Sequence, residues 1–97
     1  MAVYVDNLRV LKRIGNRGSW RFSHMIADTR DELDKMAELI DLDQKWKQNP
    51  GEGREHFDVT ENYRQRALDL GAKQITVREL AMKLWDRDLK KYLEGRR

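Results

Sequence analysis

Two histidines stand near the start of short apolar runs that end in carboxylates: SHMIADT carries His24 and Asp28, and HFDVT carries His56 and Asp58. A third carboxylate, Asp6, closes the run VYVD. In an extended strand alternate residues share a face, so His24, Ile26 and Asp28 project together, as do His56, Asp58 and Thr60. Two such strands side by side would gather two imidazoles and two carboxylates. That cluster suits a divalent metal, acid–base work or hydrogen bonds to a base and ribose. The same residues also have plain structural uses. Asp28 and Thr60 can cap helices, Asp6 can hold loop amides, and imidazoles can pack with both nitrogens satisfied. Mixed oxygen and nitrogen ligation by His24, His56, Asp6, Asp28 and Asp58 is chemically reasonable. No tight spacing such as HExxH is present, however, and the sequence assigns no residue as a metal ligand.

Other reactive patterns are missing. The chain has no cysteine, which removes disulfides, thiolate metal sites and a cysteine nucleophile. Ser19 and Ser23 flank Trp20 outside any Gly-x-Ser-x-Gly turn, and neither GxGxxG nor a P-loop occurs. Phosphate recognition then falls to the helix starts near Asp28, Thr60 and Thr76, with Arg64, Arg66 or Arg78 to complete the charge and Arg64 ahead of Arg78 as the phosphate contact. Trp20 and Trp46 are candidates to stack on a ligand. The basic residues Arg9, Lys12, Arg13, Arg17 and Arg21 surround Trp20 and could grip a nucleic-acid backbone. They could equally keep a hairpin edge soluble.

The elements that would position these groups follow from local pattern. Ala2–Asp6 reads as a strand. Leu8–Trp20 reads as a basic hairpin or flap around Gly15-Asn16-Arg17-Gly18, and Phe22–Ala27 as a second strand. Thr29 and Glu32 stand in the relation of a capping box that opens a helix to about Leu42, with Leu33, Met36, Ala37 and Ile40 as its apolar stripe. Asp43–Glu55 has the only proline and no sustained period, so a loop is expected, anchored by Trp46. His56–Val59 is a third strand, Glu61–Leu70 a helix stopped by Gly71, and Gln74–Thr76 a fourth strand. Thr76 and Glu79 start a last helix running to Leu93 before Gly95. Its stripe of Trp85, Leu89, Tyr92 and Leu93 offers a subunit or partner contact. The order predicts an α/β fold: a small two- or three-layer sandwich with a mainly parallel four-stranded sheet, three helices and a basic hairpin insertion. In such a sheet, loops at the carboxyl ends of strands line the ligand crevice, and Asp6, Asp28 and Asp58–Thr60 fall there.

Ninety-seven residues fit one domain, residues 1–97. The charged fraction of 38% against 39% apolar predicts a small core with heavily solvated helices, and oligomerisation as a natural supplement. The net charge of +3 is arranged in blocks. Residues 1–27 hold five basic groups and one acidic, whereas residues 28–43 hold two basic and seven acidic. A nucleic-acid domain more often shows an unbroken basic face. Nothing is long and apolar enough to cross a bilayer or serve as a signal peptide, so an unprocessed intracellular protein without a membrane partner is expected.

Read together, VYVD at 3–6, Trp20, HMIAD at 24–28, Glu32-Leu33, Trp46, HFDVT at 56–60, Gly71-Ala72 and REL at 78–80 resemble a family of small bacterial and phage proteins of unknown function. The blocks span nearly the whole chain. The resemblance implies a cytoplasmic protein of a bacterial or phage-infected cell and brings no activity with it. Asn7 stands where similar proteins often carry a second aspartate, and the piece between VYVD and Trp20 is longer and more basic than theirs.

The leading expectation is a small binding protein for a phosphorylated, nucleotide-like ligand, such as a phage protein that sequesters a signalling nucleotide. Its floor would be His24, Asp28, His56 and Asp58. Asp6 would orient a loop, Trp20 or Trp46 would stack, and Arg64 would meet phosphate. The rival is a metal-dependent phosphoesterase or nuclease using the same histidines and aspartates. A third possibility is a protein-interaction module docking through Trp85, Leu89 and Tyr92. A homo-oligomer through the C-terminal helix is expected; the cofactor is unassigned.

Overall fold

The computed structural model, in which residues 2–13, 15–16 and 18–94 are described with the side chain of Tyr92 excepted, places β1 (Val3–Val5) and β2 (Val10–Arg13) along one long partner, β3 (Ser19–Ala27). Both pair antiparallel with it, β1 with its last residues and β2 with its first. They are one interrupted arm of a hairpin whose turn includes Gly15 and Gly18 at positive φ, where glycine meets no Cβ penalty. The register shows what interrupts the arm. From Val3 to Val10 the chain advances seven residues while its partners, Ala27 to Phe22, advance five. The two extra residues make a bulge at Asp6–Arg9, which bends the strand and re-aims its side chains.

Helix α1 (Arg30–Leu39) opens as its capping residues require. The Thr29 hydroxyl accepts from the Glu32 amide at 3.2 Å and donates to the Glu32 carboxylate at 2.9 Å. A 3-10 turn (Gln44–Trp46) and the two-residue β4 (Lys47–Gln48) precede β5 (His56–Thr60), followed by α2 (Glu61–Asp69), β6 (Lys73–Gln74) and α3 (Val77–Glu94). Thr76 and Glu79 exchange the same bonds at the start of α3, where the Thr76 amide also donates to the Glu79 carboxylate. Thr60 begins α2 without a side-chain cap bond.

The six strands form one sheet in the order β4-β5-β3-β1-β6, with β2 beside β3, and only the β1–β6 pairing is parallel. The expected mainly parallel, four-stranded sheet is therefore corrected to a mostly antiparallel one of six strands. Two features decide this. The hairpin forces β3 against the arm that precedes it, and β4, inside what reads as a loop, adds a reversal that turns β5 against β3. Two crossovers remain, β3–α1–β4, which spans β5, and β5–α2–β6, which spans β3 and β1.

Odd-numbered residues of the central strands, Val3, Val5, Met25, Ala27, Phe57 and Val59, share the core with Leu33, Met36, Ala37 and Ile40 of α1 and Ala67 of α2. The opposite face carries Tyr4, Ile26, His24 and Asp58. Over its Tyr4 and Ile26 end lies α3, where the Lys83 ammonium stands 4.3 Å from the Tyr4 ring centre and Arg87 donates to the Ala27 carbonyl. Leu80 is buried. Gly53 permits the close approach of α3, since a Cβ there would sit 2.6 Å from the Asp88 Cα. Gly95 and Arg17 lie outside the described residues, as does the Tyr92 side chain.

Candidate functional site

The bulge builds the site. Asp6 is fully buried, its amide donates to the His24 carbonyl at 3.1 Å, and its Oδ1 accepts from the His24 amide at 3.0 Å. A carboxylate thus replaces the backbone acceptor that a continuous strand would have offered. The same Oδ1 accepts from the Leu8 amide at 3.3 Å, which pins the bulge. The other oxygen, Oδ2, lies 2.7 Å from His24 Nδ1.

Antiparallel pairing sets His24 directly opposite Asp58, and His56 shares their face two residues along β5. The rings of His24 and His56 meet edge-on with centroids 5.3 Å apart. Asp58 Oδ1 lies 3.3 Å from His56 Nε2 and 3.8 Å from His24 Nε2. Lys12, reaching over from β2, places its ammonium 2.5 Å from Asp58 Oδ2. One ligand atom each from His24, His56 and Asp58 lies within 4.8 Å of the others, and the His24 side chain is 27% exposed, so solvent reaches the group.

The hydrogen bonds fix the tautomers. An ionised carboxylate and a peptide carbonyl are acceptors only. His24 Nδ1 against Asp6 and His56 Nδ1 against the Arg54 carbonyl, at 2.8 Å, are therefore both donors. Each neutral ring then turns a bare Nε2 lone pair toward Asp58. These two lone pairs and Asp58 Oδ1 converge while Lys12 holds the other oxygen of Asp58, and a cation between them relieves the repulsion: a proton on an imidazole or a metal ion. The titration of the site reflects this. The Asp6 hydrogen bond raises the His24 pKa above its ordinary 6.5, against the lowering effect of burial, and the nearby Asp58 charge adds to the rise. Burial alone would raise Asp58. A hydrogen bond from His56 when its Nε2 carries a proton, together with the Lys12 ammonium, outweighs it and holds the carboxyl down to about 2.

Of the eight expected site residues the structure gathers four: Asp6, His24, His56 and Asp58. Trp20 shares their face farther along β3. Asp28 does not join them: antiparallel β3 carries it four residues beyond His24, where its carboxylate accepts from the Ala2 amide and the Tyr4 hydroxyl. Arg64 is corrected from a phosphate contact to an internal brace. It is 4% exposed, its Nε donates 3.0 Å to the Asp6 carbonyl, and its NH2 reaches Gln74 Oε1 at 2.5 Å. Trp46 is exposed at the end of the 3-10 turn with the Lys45 ammonium 5.2 Å from its ring. The crevice expected at parallel strand ends is replaced by a site on the sheet face.

The basic run also divides. Only Lys12 among its described members touches the cluster. Arg9 is tied to Glu61 at 2.7 Å and to the Ser23 hydroxyl at 3.1 Å, Arg13 donates to the Gly15 carbonyl, and Arg21 faces Leu11 across the hairpin on the other face. Arg17 lies outside the described residues. In α3, Trp85 and Leu89 are exposed. No helix among the described residues is long and apolar enough to cross a membrane. The role of Lys12 against Asp58, the Arg54 carbonyl and the Gln74 brace were missed by sequence reasoning. Pairing β2 with β3 by parity would have found the first.

In comparisons with known proteins, a family described as a protein of unknown function (DUF4031) matches residues 3–87. No curated protein matches, and no solved structure does.

Proposed function

The chain belongs to that family, DUF4031, and from its own residues we propose that it is a metal-dependent phosphoesterase whose divalent ion is held by His24 Nε2, His56 Nε2 and an oxygen of Asp58. The observation that carries this is the pair of tautomers. Both Nδ1 atoms are already committed as donors to a carboxylate and a carbonyl, the arrangement that orients metal-binding imidazoles and raises their basicity. Two histidines and one carboxylate leave coordination positions open for water and substrate. A bound divalent ion supplies acidified water. Water activated in that way would attack phosphorus as the ester P–O bond breaks, the departing oxygen taking its proton from solvent. Lys12, beside Asp58 Oδ2, is placed to meet a phosphoryl oxygen and stabilise the charge that grows there.

Titration calorimetry with Zn2+ and Mn2+, alongside hydrolysis of bis(p-nitrophenyl) phosphate, tests the reading. One metal per chain and metal-dependent hydrolysis are expected, both lost in His24→Ala, His56→Ala and Asp58→Ala proteins. A chain that takes up neither ion refutes the metal site; one that binds metal but cleaves no phosphoester refutes the reaction. In that second case the competing reading gains, a nucleotide-like ligand held without turnover, which Trp20 on the same sheet face favours.

A further inference from the structure

Same-face residues of a strand follow one another at about 6.7 Å. Along β3, two and four residues before His24, that face carries Phe22 and Trp20. Trp20 is 39% exposed, whereas Ile26, on the far side of His24, is sealed. Lys12 stands opposite Trp20 in the pairing, and its ammonium lies 5.8 Å from the Phe22 ring centre while it contacts Asp58. One cation therefore joins the aromatic row to the triad. The other described cations of the hairpin do not crowd the row: Arg21 and Arg13 fall on the opposite face by parity, and Arg9 is paired with Glu61.

A flat ring open to solvent, a cation and a phosphate-seeking centre in one line match the repeating chemistry of a polynucleotide. The bases supply π-faces for stacking, and the backbone supplies phosphate. Bases within a duplex already stack on each other, so only an unpaired strand can offer them to an open sheet face. We propose that Trp20 and Phe22 form a stacking platform for the bases of an unpaired nucleotide chain, and that the platform leads its backbone past Lys12 to the His24–His56–Asp58 centre. The row has two aromatic places in register, so it engages successive nucleotides. This names the substrate class of the phosphoesterase reading and rests on it for the purpose of binding, but not for its test.

The test measures fluorescence anisotropy of a labelled ten-nucleotide single-stranded deoxyribonucleotide in chelator, so that no metal is needed. Trp20→Ala is expected to weaken binding about tenfold or more, Trp20→Phe to restore most of it, and Trp85→Ala, on α3, to leave it unchanged. Circular dichroism and thermal unfolding of the Trp20→Ala protein confirm that its fold is intact. The proposal is overturned if Trp20→Ala binds as well as the parent, if Trp20→Ala and Trp85→Ala lose affinity equally, or if a mononucleotide or a duplex binds as tightly as the single strand. The two readings fail separately. Loss of metal uptake with strand binding intact sinks the phosphoesterase, and intact metal uptake without strand binding sinks the platform.

Discussion

On the proposed reading, His24 is the residue on which proton and metal would compete. Its raised pKa means that, without metal, the His24–Asp6 pair contributes its full stabilisation below pH 6.5 and loses it as pH rises through the raised value. Metal needs the same Nε2 unprotonated, so its affinity rises over the same interval. Asp6→Asn should remove the anion that favours the imidazolium. His24 would then release its proton at lower pH, and the midpoint of metal binding measured against pH should move down. Affinity at pH 8 should still fall about 10- to 100-fold, because the ring loses its orienting carboxylate. An unmoved midpoint would falsify the role assigned to Asp6. The residue types were legible from the sequence: alternation put His56 and Asp58 on one face of their strand and His24 with Asp28 on one face of its own, and the pairing joins His24, His56 and Asp58 on a single sheet face. Asp6, not Asp28, proved to be the second carboxylate, because the choice depends on strand direction, which alternation leaves undetermined.

At the scale of elements, caps were the most readable feature and sheet direction the least. Thr29 with Glu32 and Thr76 with Glu79 form the expected reciprocal bonds, since a cap is settled within four residues. Direction depends on pairings far apart in sequence. Lys47–Gln48 gives no strand signal of its own, yet its pairing with His56 and Phe57 reverses β5. The bulge likewise needs the β3 register before its two extra residues can be counted. Gly53 is the element-scale prediction. Its would-be Cβ faces the Asp88 backbone at 2.6 Å, where no side chain can yield. Gly53→Ala should therefore destabilise the fold by about 1–3 kcal/mol in urea unfolding and raise amide exchange in α3 ahead of α1. A neutral substitution would mean that α3 sits farther from the loop than described.

The molecule as a whole is compact, with a Cα radius of gyration of 13.5 Å, close to the ~13 Å expected of a domain of about 100 residues. Its larger core lies between the sheet and α1 with α2, and the candidate site lies on the other face. The triad joins β3 to β5, so a metal there would clip two strands that the chain connects only through α1 and the segment carrying β4, while Asp6 ties the β1 arm to the site through His24. Ligand at 100 times its dissociation constant adds about 2.7 kcal/mol of stability, which for a domain of this size raises Tm by about 10 °C or more. Thermal melts with and without Zn2+ should show that rise, its reversal by chelator, and no response in a His24→Ala/His56→Ala protein. The brace beneath Asp6 adds a consequence in time. Asp6, His24, His56 and Asp58 all precede α2, but Arg64 reaches its partner only when Gln74 is present. During synthesis, which proceeds from the N-terminus, the ribosome therefore releases all the proposed metal-binding groups before the brace that holds the Asp6 backbone can form. A nascent chain halted between them would hold the ligands without the brace.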